Sequence, residues 1–486
     1  MSLKHHALLL LGHVALLAGC SSPSSPPASP CAEPEVARGS RGVRCGHLVD
    51  PEGRVELLFG INARVEGLFD VTFDDGRTPL EPIPAFTLED ASRMRALGFD
   101  SLRLPINWSG LEPTDGEPFS EPYLSRLDEV VSTAAEAGLS VLVDFHQDAY
   151  SKEIGEDGAP LWAIVPAPEA LLEGPLTDLE ERRQSPQVLA AFSTFFGPSE
   201  AGAGLRTRYA RAVAAVAARL RGRSEVVGIE AFNEPLSPSA YLDALHDEVI
   251  ARVREADPER VVFFEPDALR NVFDKATLAT REPWPLTAYA PHVYTLAFTG
   301  TDAQRAAITK ETLRPSNEAA RDEAESWRAP LVITEFGYDP DRPEFSDYIA
   351  WQLELQDDVH ASSYFWLWKE QSQDSWGIHD FDPETGGWKE RPEVLSALAR
   401  VAPERIPGFP VRYGYDRSAR RFELTFDGEP AVDAQAVLRV PPALGATNLS
   451  AACDGESVVV TREEAHAAVR LRCGGAGRHT LVLSLE

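Results

Sequence analysis

Eight short apolar runs, most of them followed by a helical stretch, set what this chain can fold into. They read ELLFGIN, SLRLPI, SVLVDFH, VVGIEAF, VVFFEP, TAYAPHVY, PLVITEF and SSYFWLW. Each is apolar on both faces, as a parallel sheet covered by helices requires. Between them lie TLEDASRMRALGF, with Thr87 as N-cap and Glu89 and Asp90 in the first turn, and helical stretches at 121–138, 205–223, 239–255, 317–328 and 344–358. RPEVLSALARV closes the series. The pattern predicts a (β/α)₈ TIM barrel over residues 47–405. HLVDPEGRVELLFGIN predicts a hairpin turning at Asp50–Gly53, its second arm serving as the first barrel strand. Residues 406–486 carry short alternating runs such as RRFELTF, AVLRV and HTLVLSL, which predict a small antiparallel β-sandwich. The stretch from Tyr150 to Gly202 is an insertion after the third strand. Its apolar patches, LWAIVP and VLAAFSTFF, suit either a wall of a binding site or packing on the barrel rim.

The N-terminus reads as a targeting segment. Lys4, His5 and His6 precede ALLLLGHVALLAGC, a run too short to span a bilayer. Its end, Leu17-Ala18-Gly19-Cys20, resembles the lipobox of bacterial lipoproteins. That resemblance makes residues 1–20 a lipoprotein-type signal with Cys20 lipidated. Residues 21–46 begin with SSPSSPPASP, an extended tether. The expected location is outside the cytoplasm, secreted or lipid-anchored to a bacterial membrane. The remaining cysteines, Cys31, Cys45, Cys453 and Cys473, allow three pairings, and proximity favours Cys31–Cys45 and Cys453–Cys473. A formal net charge of −30 repels phosphate backbones and excludes nucleic acid as a natural partner. The chain carries no Gly-rich phosphate loop and no metal-ligand spacing, so no cofactor and no metal are expected, and a monomer is.

Chemistry concentrates at one end of the predicted barrel. Glu234, in AFNEP, ends the fourth strand, and Glu335, in VITEFG, ends the seventh. Two carboxylates at one barrel mouth equip a site for glycoside hydrolysis. Arg103 ends the second strand, His146 and Asp148 the third, His292 and Tyr294 the sixth, and Trp366 the eighth. Taken singly, such residues are ordinarily packing; functional side chains at the same end of six strands are not. Glu230 reads as a structural partner of a basic side chain. Glu265 also ends a strand but has no supporting motif, and Asp380 and Asp382 read as a solvated loop.

RLPINW, DFHQD, FNEP, PHVY, ITEFG and the eighth-strand Trp together resemble glycoside hydrolase family 5. LVDFHQDAYS, GEDGAPLWA and the closing RPEVLSALARVAPERIPG resemble its endoglycoceramidase branch, whose members release an intact glycan from a glycosphingolipid. The region Ala63–Pro84 does not match that branch clearly. The resemblance implies Glu234 as general acid/base, its pKa raised by Glu335 and burial, and Glu335 as ionised nucleophile held by Arg103 and Tyr294. It also implies Asn233 on the sugar 2-hydroxyl, His292 beside the acid, His146 and Asp148 on sugar hydroxyls, and Trp366 beneath the ring. The implied substrate is a glycolipid met at a membrane surface. A polysaccharide such as a β-glucan or mannan is the alternative, and a non-catalytic carbohydrate-binding lipoprotein a more distant one.

Overall fold

The computed structural model describes residues 39–237, 239–277, 281–371 and 376–486. Three short strands come first: β1 (Gly42–Arg44), β2 (His47–Val49) and β3 (Val55–Glu56). The barrel strands follow: β4 (Phe59–Asn62), β5 (Ser101–Ile106), β6 (Ser140–Phe145), β7 (Val226–Glu230), β8 (Val261–Phe264), β9 (Thr287–Tyr289), β10 (Val332–Phe336) and β11 (Ser362–Phe365). They are parallel, in the order β10-β11-β4-β5-β6-β7-β8-β9. β9 and β10 meet through parallel bridges at Tyr289–Leu331 and His292–Glu335, which bring the ring to near closure. The predicted barrel is therefore present.

The strand pattern explains what the barrel holds. In β5, Leu102, Leu104 and Ile106 face outward into a core shared with helix residues Met94, Leu127 and Val131, while Arg103 between them faces inward. Near the N-terminal strand ends the interior is filled by Leu142, Val227, Val261, Phe263, Ala288, Val332 and Tyr364, joined by Leu48 and Leu58. Two glycines make this floor possible. A Cβ at Gly60 would lie 2.1 Å from the Tyr364 ring, and one at Gly228 2.3 Å from the Phe263 ring. Above the floor the interior turns polar, and that layer carries the site.

After the barrel come β12 (His379–Asp382) and β13 (Gly387–Glu390), a hairpin, then β14 (Ala402–Ile406), β15 (Gly408–Asp416), β16 (Arg421–Gly428), β17 (Gln435–Arg439), β18 (Leu449–Cys453), β19 (Glu456–Val458), β20 (Thr461–Glu463), β21 (Ala468–Arg472) and β22 (Gly477–Leu485). One sheet runs β15-β16-β22-β18-β19; the other runs β1-β2-β3-β14-β17-β21-β20. This second sheet corrects the expected boundaries. Strands β2, β3 and most of β14 lie inside the span 47–405 assigned to the barrel, yet they join one sheet with C-terminal strands β17, β21 and β20, and β4 rather than β3 opens the barrel. Apolar alternation shows that a run is a strand but not which sheet takes it. Here the partner is fixed by charge: buried Glu56 binds Arg405 at 2.7 Å and Arg41 at 2.5 Å. Those arginines outweigh the burial that would raise it and hold Glu56 at about 2.

Buried arginines also join the sheet to the barrel. Arg439 donates to Asp100 at 2.8 Å and to the Leu57 carbonyl at 2.9 Å, and Arg439 and Arg400 both lie over the Phe59 ring. Cys453 and Cys473 are disulfide-bonded across 20 residues, as proximity suggested. Cys45 is also disulfide-bonded. Cys31, the signal segment and Cys20 lie outside the described residues. Closing a loop of this length is worth about 3 kcal/mol. A Cys453→Ser/Cys473→Ser chain is expected to unfold at lower urea, with a slope equal or steeper because its denatured state is less constrained; an unmoved midpoint would show that the bridge adds nothing to stability.

The insertion is chiefly packing. Tyr150, Phe192, Phe195 and Phe196 form edge-to-face contacts with one another and with Tyr209 and Phe232. Its helix Pro186–Phe196 buries this face against the helix Glu200–Arg219. It reaches toward the barrel mouth through Arg183 and Glu156, described below.

Candidate active site

The polar layer centres on Arg103, which is fully buried in β5. Its Nε donates to Glu230 Oε2 at 2.7 Å, Nη1 to Glu335 Oε1 at 2.6 Å and Asn62 Oδ1 at 2.9 Å, and Nη2 to Asn233 Oδ1 at 2.8 Å. Asp144 lies 3.1 Å and Glu265 3.7 Å from Nη2. A planar guanidinium with five donors is the one side chain able to bind so many acceptors at once. Glu230 is thus a structural partner, as its position inside a strand suggested.

Glu335 points from the end of β10 into the mouth. Tyr294 donates to its Oε2 at 3.0 Å, opposite Arg103. Glu234 follows β7 in an unusual conformation. Its φ is +41°, in the left-handed region that costs a non-glycine residue energy. Three contacts hold it there: Gln147 Nε2 donates to the carbonyls of Asn233 (2.8 Å) and Glu234 (3.0 Å), and the Glu234 N–H donates to Glu265 Oε2 at 3.2 Å. Its Oε1 lies 2.9 Å from His292 Nδ1 and accepts from Asn271 Nδ2 at 2.8 Å. A carboxylate oxygen from each of Glu234 and Glu335, together with a nitrogen of His292, lie within 4.8 Å of one another. The Glu234 side chain is 21% exposed and that of Glu335 7%. The more open carboxylate is therefore the one poised toward a leaving group.

The electrostatics reverse one expectation. Burial raises Glu335 above the ordinary carboxylate range, although His292 and Arg103 pull the other way. Burial would raise Glu234 too, but the hydrogen bond and charge of His292 outweigh it and hold Glu234 at about 2. The sequence reading had Glu234 raised. It counted the neighbouring carboxylate and not a cationic imidazole at 2.9 Å. His292 is itself pushed well above its usual value, because the facing Glu265 and Glu335 and the Glu234 hydrogen bond overcome its burial. Both directions favour a cationic His292 beside an ionised Glu234.

The other expected residues are gathered at the same mouth. Asn233 is locked by Arg103 and by its own bond to the Gln147 carbonyl at 3.1 Å. His146 accepts or donates at Nδ1 to Asp144 at 2.5 Å and stacks 5.8 Å from the Trp366 ring, with 13° between planes. Burial holds His146 at about 3, so it is a neutral ring. Trp366 is half-buried and is also covered by Arg64 at 5.3 Å. Asp148 is held by Arg183 of the insertion at both oxygens, at 3.0 and 2.5 Å. Sequence reading passed over Asn62, Asp144, Gln147, Asn271 and Arg183, and it set Glu265 aside. Arg64 sits buried among Glu81, Glu156 and Glu370 beside Trp366.

Comparison with known proteins agrees with this geometry. The family described as Cellulase (glycosyl hydrolase family 5) matches residues 84–372. Endoglycoceramidase I of Rhodococcus hoagii (strain 103S) is 29% identical over 322 residues, 60% of this chain and 61% of that protein, so the match spans less than two thirds of its length. The endoglycoceramidase of Cyanea nozakii is 25% identical over 440 residues, covering 78% of this chain and 79% of its own. The structure of endo-glycoceramidase II from Rhodococcus sp. as a ganglioside GM3 complex superposes with a TM-score of 0.76 at 24% identity, covering 90% of this chain and 99% of that one.

Proposed function

Because this chain belongs to glycosyl hydrolase family 5, we propose that it is a retaining endo-β-glycosidase that cuts the bond between glycan and ceramide in glycosphingolipids. The observation that carries the retaining chemistry is the approach of the Glu234 and Glu335 oxygens to within 4.8 Å. Carboxyl groups about 5–5.5 Å apart suit a double displacement, whereas inversion leaves room for water at about 6.5–9.5 Å. Glu335 attacks the anomeric carbon, its charged form favoured by the Arg103 and Tyr294 hydrogen bonds. Glu234 protonates the leaving oxygen, and in the second step takes a proton from the water that releases the glycan. Asn233 holds the sugar 2-hydroxyl, and Trp366 floors the ring.

The lipid side of the reading draws on the named relatives and on one surface feature. Leu269, Val272, Phe273 and Phe298 are exposed, on segments that follow β8 and β9. The first three flank Asn271, which binds the acid/base, so apolar surface lies on the side where the leaving group departs. We extend the proposal to an exported protein, lipidated at Cys20 and held at a membrane where such substrates are met. The support is the N-terminal sequence alone. Among the described residues no helix is long and apolar enough to cross a membrane.

The deciding experiment is a digest of detergent-dispersed ganglioside or lactosylceramide, with products weighed by mass spectrometry. Intact oligosaccharide and free ceramide are expected. Failure to cut them, where a soluble β-glucan or aryl β-glycoside is cut, would keep the two-glutamate chemistry and discard the lipid specificity.

The acid role makes a separate prediction. Glu234→Gln is expected to lose roughly 10²–10⁴-fold on a glycolipid, whose leaving oxygen needs a proton. A glycosyl fluoride needs none, and its cleavage is expected to stay within about tenfold of the parent in the glycosylation step. Equal losses on both would remove Glu234 from the acid role.

A further inference from the structure

Glu265 ends β8 with a buried carboxyl that the mechanism above leaves unused. Its residue is 3% exposed. Oε2 accepts the Glu234 N–H at 3.2 Å. Oε1 faces His292 Nε2 at 3.4 Å, and neither of those two atoms has another hydrogen-bond partner among the described residues. His292 thus spans two carboxyls, with Glu265 behind it and Glu234 in front at 2.9 Å. A buried polar atom without a close partner is costly, and two of them facing each other mark a contact kept for another reason.

We propose that Glu265 is a positioning residue for the reaction: with His292 it forms a buried pair that stores the proton Glu234 delivers to the leaving group. This rests on Glu234 being the acid/base. In the first step the Nδ1–H bond of His292 breaks and an O–H bond forms on the Glu234 carboxylate, leaving a neutral imidazole that keeps its Nε2–H toward Glu265. The Glu234 O–H then passes its proton to the glycosidic oxygen as the C–O bond breaks and its electron pair stays on that oxygen. In the second step Glu234 takes a proton from the attacking water and returns it to Nδ1. No proton is gained or lost over the cycle beyond those of the water.

The surroundings fit such a store. His292 is faced by Glu234 and Glu230 from the β7 side, Glu265 from β8 and Glu335 from β10. Asp144 on β6 acts on it at longer range, Arg103 on β5 meets Glu265 and Glu335, and Tyr294 lies edge-on to its ring. Arg270 donates to its carbonyl at 3.0 Å and fixes the backbone. Burial raises Glu265 well above the carboxylate range, His292 is raised as well, and Glu234 is held low. All three directions place the resting proton on the pair and off Glu234. Two groups this close titrate as a unit.

The test is the pH dependence of kcat/KM for Glu265→Gln against the parent protein, on an alkyl β-glycoside and on the matching glycosyl fluoride. The amide oxygen still accepts the Glu234 N–H but cannot share a proton with His292. The alkaline limb for the alkyl glycoside is expected to move down by about one pH unit or more, tenfold in proton affinity. The fluoride rate is expected to change less than about threefold. Equal losses on both substrates with the limbs unmoved, or no change on either, would overturn the proposal. A second readout needs no variant: the ¹⁵N-histidine spectrum of the intact protein is expected to show His292 doubly protonated at pH 7.5, and a neutral ring there would overturn it too. Failure of the underlying reading looks different, since Glu234→Gln would then lose both substrates equally.

Discussion

Glu335→Ala is expected to lower kcat by about 10⁴-fold or more on any substrate, activated or not, and to leave the fold intact. Among the described residues no other carboxylate stands beside Glu234 in the mouth in the place Glu335 takes. Glu230 and Asp144 are committed to Arg103 and lie deeper in the barrel. The fold survives because Arg103 keeps Glu230, Asp144, Asn62 and Asn233 as partners. The check is kinetic and stereochemical: sodium azide added to the variant should restore cleavage of an activated glycoside and give a glycosyl azide of inverted configuration. Activity within tenfold of the parent, or no azide product from a folded variant, would move the nucleophile elsewhere.

Arg103→Met should do damage of a different kind. The guanidinium stands between Glu230, Asp144, Glu335 and Glu265, and all four stay buried when it is removed. Breaking a buried ion pair from one side costs about 3–5 kcal/mol because the partner charge is left uncompensated. The sign of the pH dependence follows. Without the cation Glu230, now held low, rises, and Glu335, Asp144 and Glu265, already raised by burial, rise further, so more stability is lost as pH rises through their folded-state values. The deficit measured in urea is therefore expected to be larger at pH 7 than at pH 5. A variant as stable as the parent at pH 7 would mean the polar layer is held by something other than Arg103. Activity should vanish at either pH, since Glu335 loses its 2.6 Å donor.

The barrel, and the place of its two glutamates, were written in the chain at the level of strands. A carboxylate closing an apolar run is visible in AFNEP and VITEFG because strand ends need no tertiary knowledge. What escaped was set by meetings across strands. Glu265 closes VVFFEP in the same way, but its meaning depends on His292, which reaches it from the next strand. The partner of Asp148 was not visible because Arg183 sits far along the insertion. The proton balance of Glu234 could not be read from its carboxylate neighbour alone, for the imidazole between them decides it. Likewise HLV and RVE read as strands, while the pairing of β3 with β14 is settled by Glu56 and Arg405, nearly a whole chain apart.

That last pairing bears on how the protein comes into being. The first ordered strands to leave the ribosome, β1 to β3, find their sheet only when residues 402–406 have followed. Leu48 and Leu58, which seal the barrel floor, belong to that early segment. The barrel therefore cannot be finished in the order of its synthesis, and nearly the entire polypeptide must be present before the last seam shuts. Under the export proposed above, such a chain would remain unlocked, and so still threadable, until it has passed through.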